Sequence, residues 1–264
     1  MRRLEKWCSP PAKVISMTSL RTDSTLLPRL CVLILLVAWG AAAFGVTEAA
    51  AAPARIIIVR HGEKQNLLSL CGVGRQRAEA LAAQYLGPRA SRSLLNGARP
   101  AAILAITLHT LETAQPIAAA WNMSVAANPL MLTPFHPEVL LNARTAAVAR
   151  DLLDNPRWRG QTVVMVWEHL HIASARLEEA FPGQRVTLRQ LLHLDQMSDA
   201  ARRVPGTWPD DTYDYFWILD YDSPTLTVPS RFSLVRQVFR PPFEDLPSNG
   251  WGRPEPRSTK FGCL

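Results

Sequence analysis

Arg55-Ile56-Ile57-Ile58-Val59-Arg60-His61-Gly62-Glu63-Lys64 decides how this chain folds. A short apolar, β-branched run meets Arg-His-Gly without a break. Such a run reads as a strand buried on both faces of a parallel sheet. The polar triplet then falls at the carboxyl end of that strand, where open α/β sheets place their ligand sites. A guanidinium there can hold a phosphate by two oxygens, and a neighbouring imidazole can attack its phosphorus. Gly62 lets backbone and ligand approach closely. Alone, the triplet fits a strand end with two solvated polar residues equally well, so the rest of the chain has to decide.

The chain has 264 residues and a net charge of +7. Residues 30–46 carry no charge, six Lys and Arg residues precede them, and Glu48-Ala49-Ala50-Ala51-Ala52-Pro53 follows. A basic flank, an apolar core and a small-residue exit predict a secretory leader over residues 1–52, cleaved within Ala49–Ala52. Met17 is a second candidate start. An uncleaved anchor in the inner membrane is the alternative, since 17 apolar residues approach the length of a span. The expected location is therefore the periplasm or the outside of the cell.

The remaining 212 residues carry 23 basic and 19 acidic groups, a net +4 that suits an anionic small substrate. No basic cluster is interleaved with aromatics, which argues against nucleic acid as a partner. A membrane is expected as a partner only through the leader. Cys71 and Cys263 remain after the leader and can pair in an oxidising compartment.

Strand and helix patterns alternate along residues 53–240. Strands are expected at 55–60, 101–106 and 162–167, and helices at 72–85, 110–121, 138–153 and 172–181. Residues 213–221, 225–228 and 232–239 read as further strands forming an edge hairpin. From Pro241 onward proline, glycine and charge dominate, and a mostly unstructured tail is expected. The alternation predicts a single α/β domain: one doubly wound, mostly parallel sheet with helices on both faces.

The third apolar strand ends in Val166-Trp167-Glu168-His169, so a second histidine reaches a strand's carboxyl end. Two strands of one sheet can thus bring His61 and His169 to one ligand. Gly-x-Ser-x-Gly and glycine-rich phosphate-loop patterns are absent, which removes serine hydrolases and their nucleotide-binding counterparts. His169-Leu170-His171 has the spacing of a metal pair on a strand. A helix starting nearby argues against that reading.

These motifs resemble those of the histidine phosphatase superfamily, with its phosphoglycerate-mutase-like fold. The resemblance rests on Arg60-His61-Gly62-Glu63-Lys64 and on Gly72-Val73-Gly74-Arg75-Gln76-Arg77-Ala78. It extends to Thr113-Ala114-Gln115-Pro116, to Trp167-Glu168-His169, which is similar to a bacterial subgroup's triplet, and to Trp208-Pro209-Asp210-Asp211-Thr212-Tyr213-Asp214. It implies phosphomonoester hydrolysis of a small phosphorylated substrate. His61 would become phosphohistidine while Arg60 and His169 surround the phosphoryl oxygens, and no metal or other cofactor would be required.

Two departures stand out. Where the family usually has a second arginine, this chain has His109, which lacks the guanidinium fork and the permanent charge. A phosphate- or anion-binding member without turnover is therefore the alternative expectation. The family's general acid is a carboxylate of variable position, and both Glu168 and Glu138 qualify. Glu138 also fits a helix N-terminus as a charge that complements the dipole. Lys64 is expected to meet an anionic substrate and Glu63 to fix its loop.

Overall fold

The computed structural model describes residues 51–127, 137–197, 204–253 and 263. Of the expected leader or anchor, residues 1–52, residues 1–50 lie outside them. Among the described residues no helix is long and apolar enough to cross a membrane.

The elements in chain order are β1 (Arg55–Arg60), α1 (Gly72–Leu81), β2 (Ala102–Ala105), α2 (Leu108–Ala120), β3 (Ala126–Ala127), α3 (Pro137–Asp154) and β4 (Thr162–Trp167). Then follow α4 (His169–Ile172), α5 (Ala175–Ala180), α6 (Leu188–Leu191), β5 (Tyr215–Asp220) and β6 (Arg231–Arg236). A π-helical turn over Ala82–Leu86 extends α1. The six strands form one sheet in the order β3-β2-β4-β1-β5-β6. β1 to β4 run parallel, and the β5–β6 hairpin joins antiparallel at the edge.

Strand periodicity splits the core in two. Ile56 and Ile58 of β1 pack on one face with Val163, Met165 and Trp217, against Leu141, Ala149 and Leu152 of α3. Ile57 and Val59 pack on the other with Val164, Val166 and Phe216, against Leu81 of α1 and Ile117 of α2. A strand flanked on both sides and on both faces has no room for a polar residue, which is why β1 reads as an unbroken apolar run. The α/β, doubly wound expectation holds in this topology.

Several local readings differ. The helix expected over 172–181 is two short ones, because Ser174 is extended and its side chain caps Leu177 N–H at 3.1 Å. Residues 225–228 form turns in the β5–β6 connection rather than a strand, with Leu226 N–H bonded to the Ser223 carbonyl. Ala51 and Ala52, in the expected leader, are fully buried, and their N–H groups bond to the carbonyls of Leu153 and Pro224. Residues 241–253 contain no helix or strand, yet they pack closely. Leu246 and Asn249 are buried, and Trp251 stacks on Trp208 and Tyr215. Cys263 is joined to Cys71 by a disulfide with Cα atoms 5.1 Å apart.

Glu63 fixes its loop through Arg77 of α1. The Arg77 Nε lies 3.1 Å from both Glu63 oxygens and a terminal nitrogen 2.6 Å from one. The same guanidinium reaches the Pro247 carbonyl, tying in the tail. Arg77 is 1% exposed. Glu63→Ala leaves that charge buried with only the Gln237 and Pro247 hydrogen bonds and the more distant Asp214 charge. The expected loss is about 3 kcal/mol of stability, measured by urea unfolding.

Candidate active site

β1 and β4 are neighbours in parallel register, with Arg60 opposite Trp167. The ladder runs one step further, since His61 N–H bonds to the Trp167 carbonyl at 3.2 Å. His61 therefore lies beside Glu168, while Arg60 and His169 share the other side of the strands. The adjacency of Glu168 and His169 in sequence thus serves two faces of one site.

The His61 Nδ1 lies 2.7 Å from the Gly62 carbonyl, which can only accept, so Nδ1 carries the proton. Nε2 then holds a lone pair and has no hydrogen-bond partner. It faces Glu168 Oε2 at 3.3 Å, within ion-pair range but not aligned as a hydrogen bond. His61 is 1% exposed, and burial drives its pKa down to about 4 despite that carboxylate. The ring is neutral at pH 7 and its free nitrogen is nucleophilic. The N–H of Gly62 is held by Thr113 Oγ1 of α2 at 2.9 Å.

Arg60 is equally buried. One terminal nitrogen donates to the backbone carbonyls of Pro209, Asp210 and Thr212, and the Tyr213 ring lies 3.8 Å from the guanidinium carbon. Its other terminal nitrogen lies 3.3 Å from His169 Nδ1, and its Nε has no partner. Two buried polar atoms, Arg60 Nε and His61 Nε2, are thus left for a ligand.

His169 is committed elsewhere. Its Nε2 lies 3.0 Å from Asp210 Oδ1, so that nitrogen donates and Nδ1 accepts from Arg60. Burial, then the adjacent Arg60 and His61, pull its pKa to about 2. As a neutral ring it has no spare donor for a phosphoryl oxygen unless Asp210 releases it.

Glu168 sits at the centre. Oε1 accepts from Thr107 Oγ1 at 2.6 Å, and Oε2 lies 3.2 Å from Lys64 Nζ. Burial pushes this carboxyl up, but His61, Lys64 and Thr107 outweigh it and hold it well below the usual carboxylate range. Thr107 caps α2, so the helix start is locked to the same carboxylate.

His109, in the first turn of α2, does reach the site. Its ring centroid is 5.8 Å from that of His61, and Nδ1 lies 4.0 Å from Glu168 Oε1. Its Nε2 donates to the Asn66 carbonyl at 2.8 Å. Burial and the Lys64 charge lower its pKa, so at neutral pH Nδ1 faces the site as an acceptor. The one N–H of the neutral ring is thus spent on Asn66 rather than left for a phosphate. Glu138 is exposed at the start of α3, and its charge is felt by His171 rather than by His61.

Ligand atoms of His61, Glu168 and His169 lie within 4.8 Å of one another, close enough for a metal ion. Arg60 and Lys64 stand beside them, and their charges favour an anion over a cation there. Thr107, Thr113, Tyr213 and Asp210 had no role assigned from sequence. Thr113 and the Asp210–Tyr213 segment lay within quoted motifs, which was the only signal for them.

The chain matches no protein-family model and no curated protein. Among solved structures it is similar to a protein described as a phosphohistidine phosphatase, SixA from Agrobacterium tumefaciens. The identity is 18%, over 69% of this chain and 96% of that one, with a TM-score of 0.35. It is also similar to a mycobacterial glucosyl-3-phosphoglycerate phosphatase, at 15% identity over 70% and 98%, with a TM-score of 0.33.

Proposed function

We propose that this protein is a phosphomonoesterase of the histidine phosphatase superfamily that works through phosphohistidine and is exported. The observation that carries the reading is the buried, neutral His61 with Nδ1 fixed on a carbonyl and Nε2 free. Nε2 attacks phosphorus, and the bond from phosphorus to the ester oxygen breaks. Arg60 and Lys64 meet the charge spread over the phosphoryl oxygens. The dianion arriving beside Glu168 raises that carboxyl's pKa. Once protonated, Glu168 gives its proton to the leaving oxygen. Water then attacks the phosphohistidine, Glu168 takes a proton from it, and His61 is regenerated. Export is supported by the leader pattern and by the Cys71–Cys263 disulfide.

The test is incorporation of labelled phosphate from an aryl phosphate, acid-labile and base-stable, mapped to His61. Its absence, with phosphate binding retained, would favour the second reading of a binding protein without turnover, which His109 supports. Glu168→Gln should slow hydrolysis roughly a hundredfold for alkyl esters. The loss should be smaller for esters with good leaving groups, and an equal loss for both would remove Glu168 from the role of acid.

The pH profile follows from two depressed histidines. His109 can donate from Nδ1 only when protonated, so kcat/KM should rise as pH falls below 6.5. It should fall again towards pH 4, where His61 gains a proton and loses its lone pair. His109→Arg should abolish the rise and keep the acid limb. A substrate ionisation, with its second pKa near about 6, would leave the rise in place in that variant.

A further inference from the structure

The cavity beside Glu168 has a volume of about 100 Å³. Its described lining includes Glu168 but not His61 or Arg60, so it opens on the leaving-group side of the proposed nucleophile and can take the alcohol part of a substrate. Leu67, Leu108 and Leu141 form the apolar wall of that cavity. Leu67 is 72% exposed, Leu68 63% and Leu140 42%. Of six large hydrophobic side chains exposed among the described residues, four (Leu67, Leu68, Val139 and Leu140) belong to the two segments that supply Leu67 and Leu141. Exposed leucines usually occur singly, but Leu67 is both exposed and part of the cavity wall, so the apolar wall continues onto the surface there.

The loop that carries Leu67 and Leu68 is held in place. Asn66 Oδ1 accepts from the N–H groups of Leu68 and Ser69, Lys64 bridges to Leu70, and the Asn66 carbonyl holds His109. The leucines are therefore presented by a fixed turn. The nearby polar groups are already used: Asn66 Oδ1 by its own turn, Thr107 by Glu168, and His109 Nε2 by Asn66. A sugar would find few free partners for its hydroxyls. Among the described residues the lining offers no Phe, Tyr or Trp for an aromatic alcohol or base to stack on.

We propose that the substrate is a phosphomonoester of an aliphatic alcohol, its chain seated on Leu67, Leu108 and Leu141. This rests on the phosphatase reading above and names the chemistry of the leaving group. The chain excludes water from Glu168 while that residue moves its proton.

The experiment is a series of n-alkyl phosphates from ethyl to octyl, each below its micelle concentration, with glycerol 3-phosphate and inorganic phosphate as comparisons. Binding is measured by calorimetry on His61→Ala, and turnover on the wild type. Affinity should rise about twofold per methylene, half the free energy of full burial, and exceed that for glycerol 3-phosphate. Leu67→Asn and Leu108→Asn should each flatten that slope. Phosphate bound with no dependence on chain length overturns the proposal and leaves the phosphatase reading intact, as does a wild-type slope in both variants. Failure of inorganic phosphate and every ester to bind overturns both.

Discussion

His61→Ala will reduce hydrolysis of an aryl phosphate by on the order of 10⁴-fold or more, with the fold intact. The size follows from what the ring does. A nucleophile that forms a covalent intermediate splits a hard displacement into two easier ones, and without it no path of comparable barrier remains. Arg60, Lys64 and Glu168 stay in place in this variant, so phosphate binding should survive. Added imidazole, which fits the space vacated by the ring, should restore part of the rate. The His61 ring makes a single hydrogen bond, donated from Nδ1 to the Gly62 carbonyl, so little of the domain's packing depends on the side chain. Hydrolysis within tenfold of wild type, at unchanged circular dichroism, would sink the phosphohistidine mechanism. Full loss without imidazole rescue, in a protein that no longer binds phosphate, would mean that His61 holds the site's shape instead.

The two central strands were legible because burial on both faces leaves a local trace in β1 and β4 that needs no knowledge of partners. Their carboxyl ends delivered Arg60, His61, Glu168 and His169 to the candidate site for the same reason. Register was not legible. That His61 faces Glu168, and Arg60 faces His169, depends on β4 inserting between β2 and β1, and residues 107 and 109 apart in sequence carry no local signal of pairing. The carbonyls of Pro209, Asp210 and Thr212 that hold Arg60 were equally hidden, since any residue offers a carbonyl. His109 was seen, but its partner was not: the Asn66 carbonyl decides which ring nitrogen faces the site. The 225–228 segment misled because its β-branched residues look extended, while its bounding prolines and Ser223 close it into turns. The tail misled because proline and glycine forbid regular structure without forbidding packing, and Trp251 and Cys263 anchor it.

Gly74→Ala should be the most damaging single substitution outside the reacting groups. A Cβ at Gly74 would meet the Glu63 carbonyl oxygen at 2.2 Å and its nitrogen at 2.7 Å. Both atoms are backbone, so no rotamer relieves the clash. The approach is mutual, because a Cβ at Gly62 would meet the Gly74 carbonyl at 2.7 Å. The start of α1 and the loop after His61 therefore lie backbone on backbone, and one methyl group forces them apart. That loop also carries Glu63, whose pairing with buried Arg77 would be stretched, and the Gly62 carbonyl that holds His61 Nδ1. The expected cost is on the order of 4 kcal/mol, at the upper end for a single substitution. Urea unfolding measures it. A second readout separates strain at the site from general loss of stability: in whatever fraction remains folded, kcat should fall further than phosphate affinity, since the carbonyl that sets the His61 tautomer moves while Arg60, held from the Pro209–Thr212 segment, does not. Wild-type stability and turnover in Gly74→Ala would show that the loop can shift freely, and the geometry assigned to His61 would lose its support.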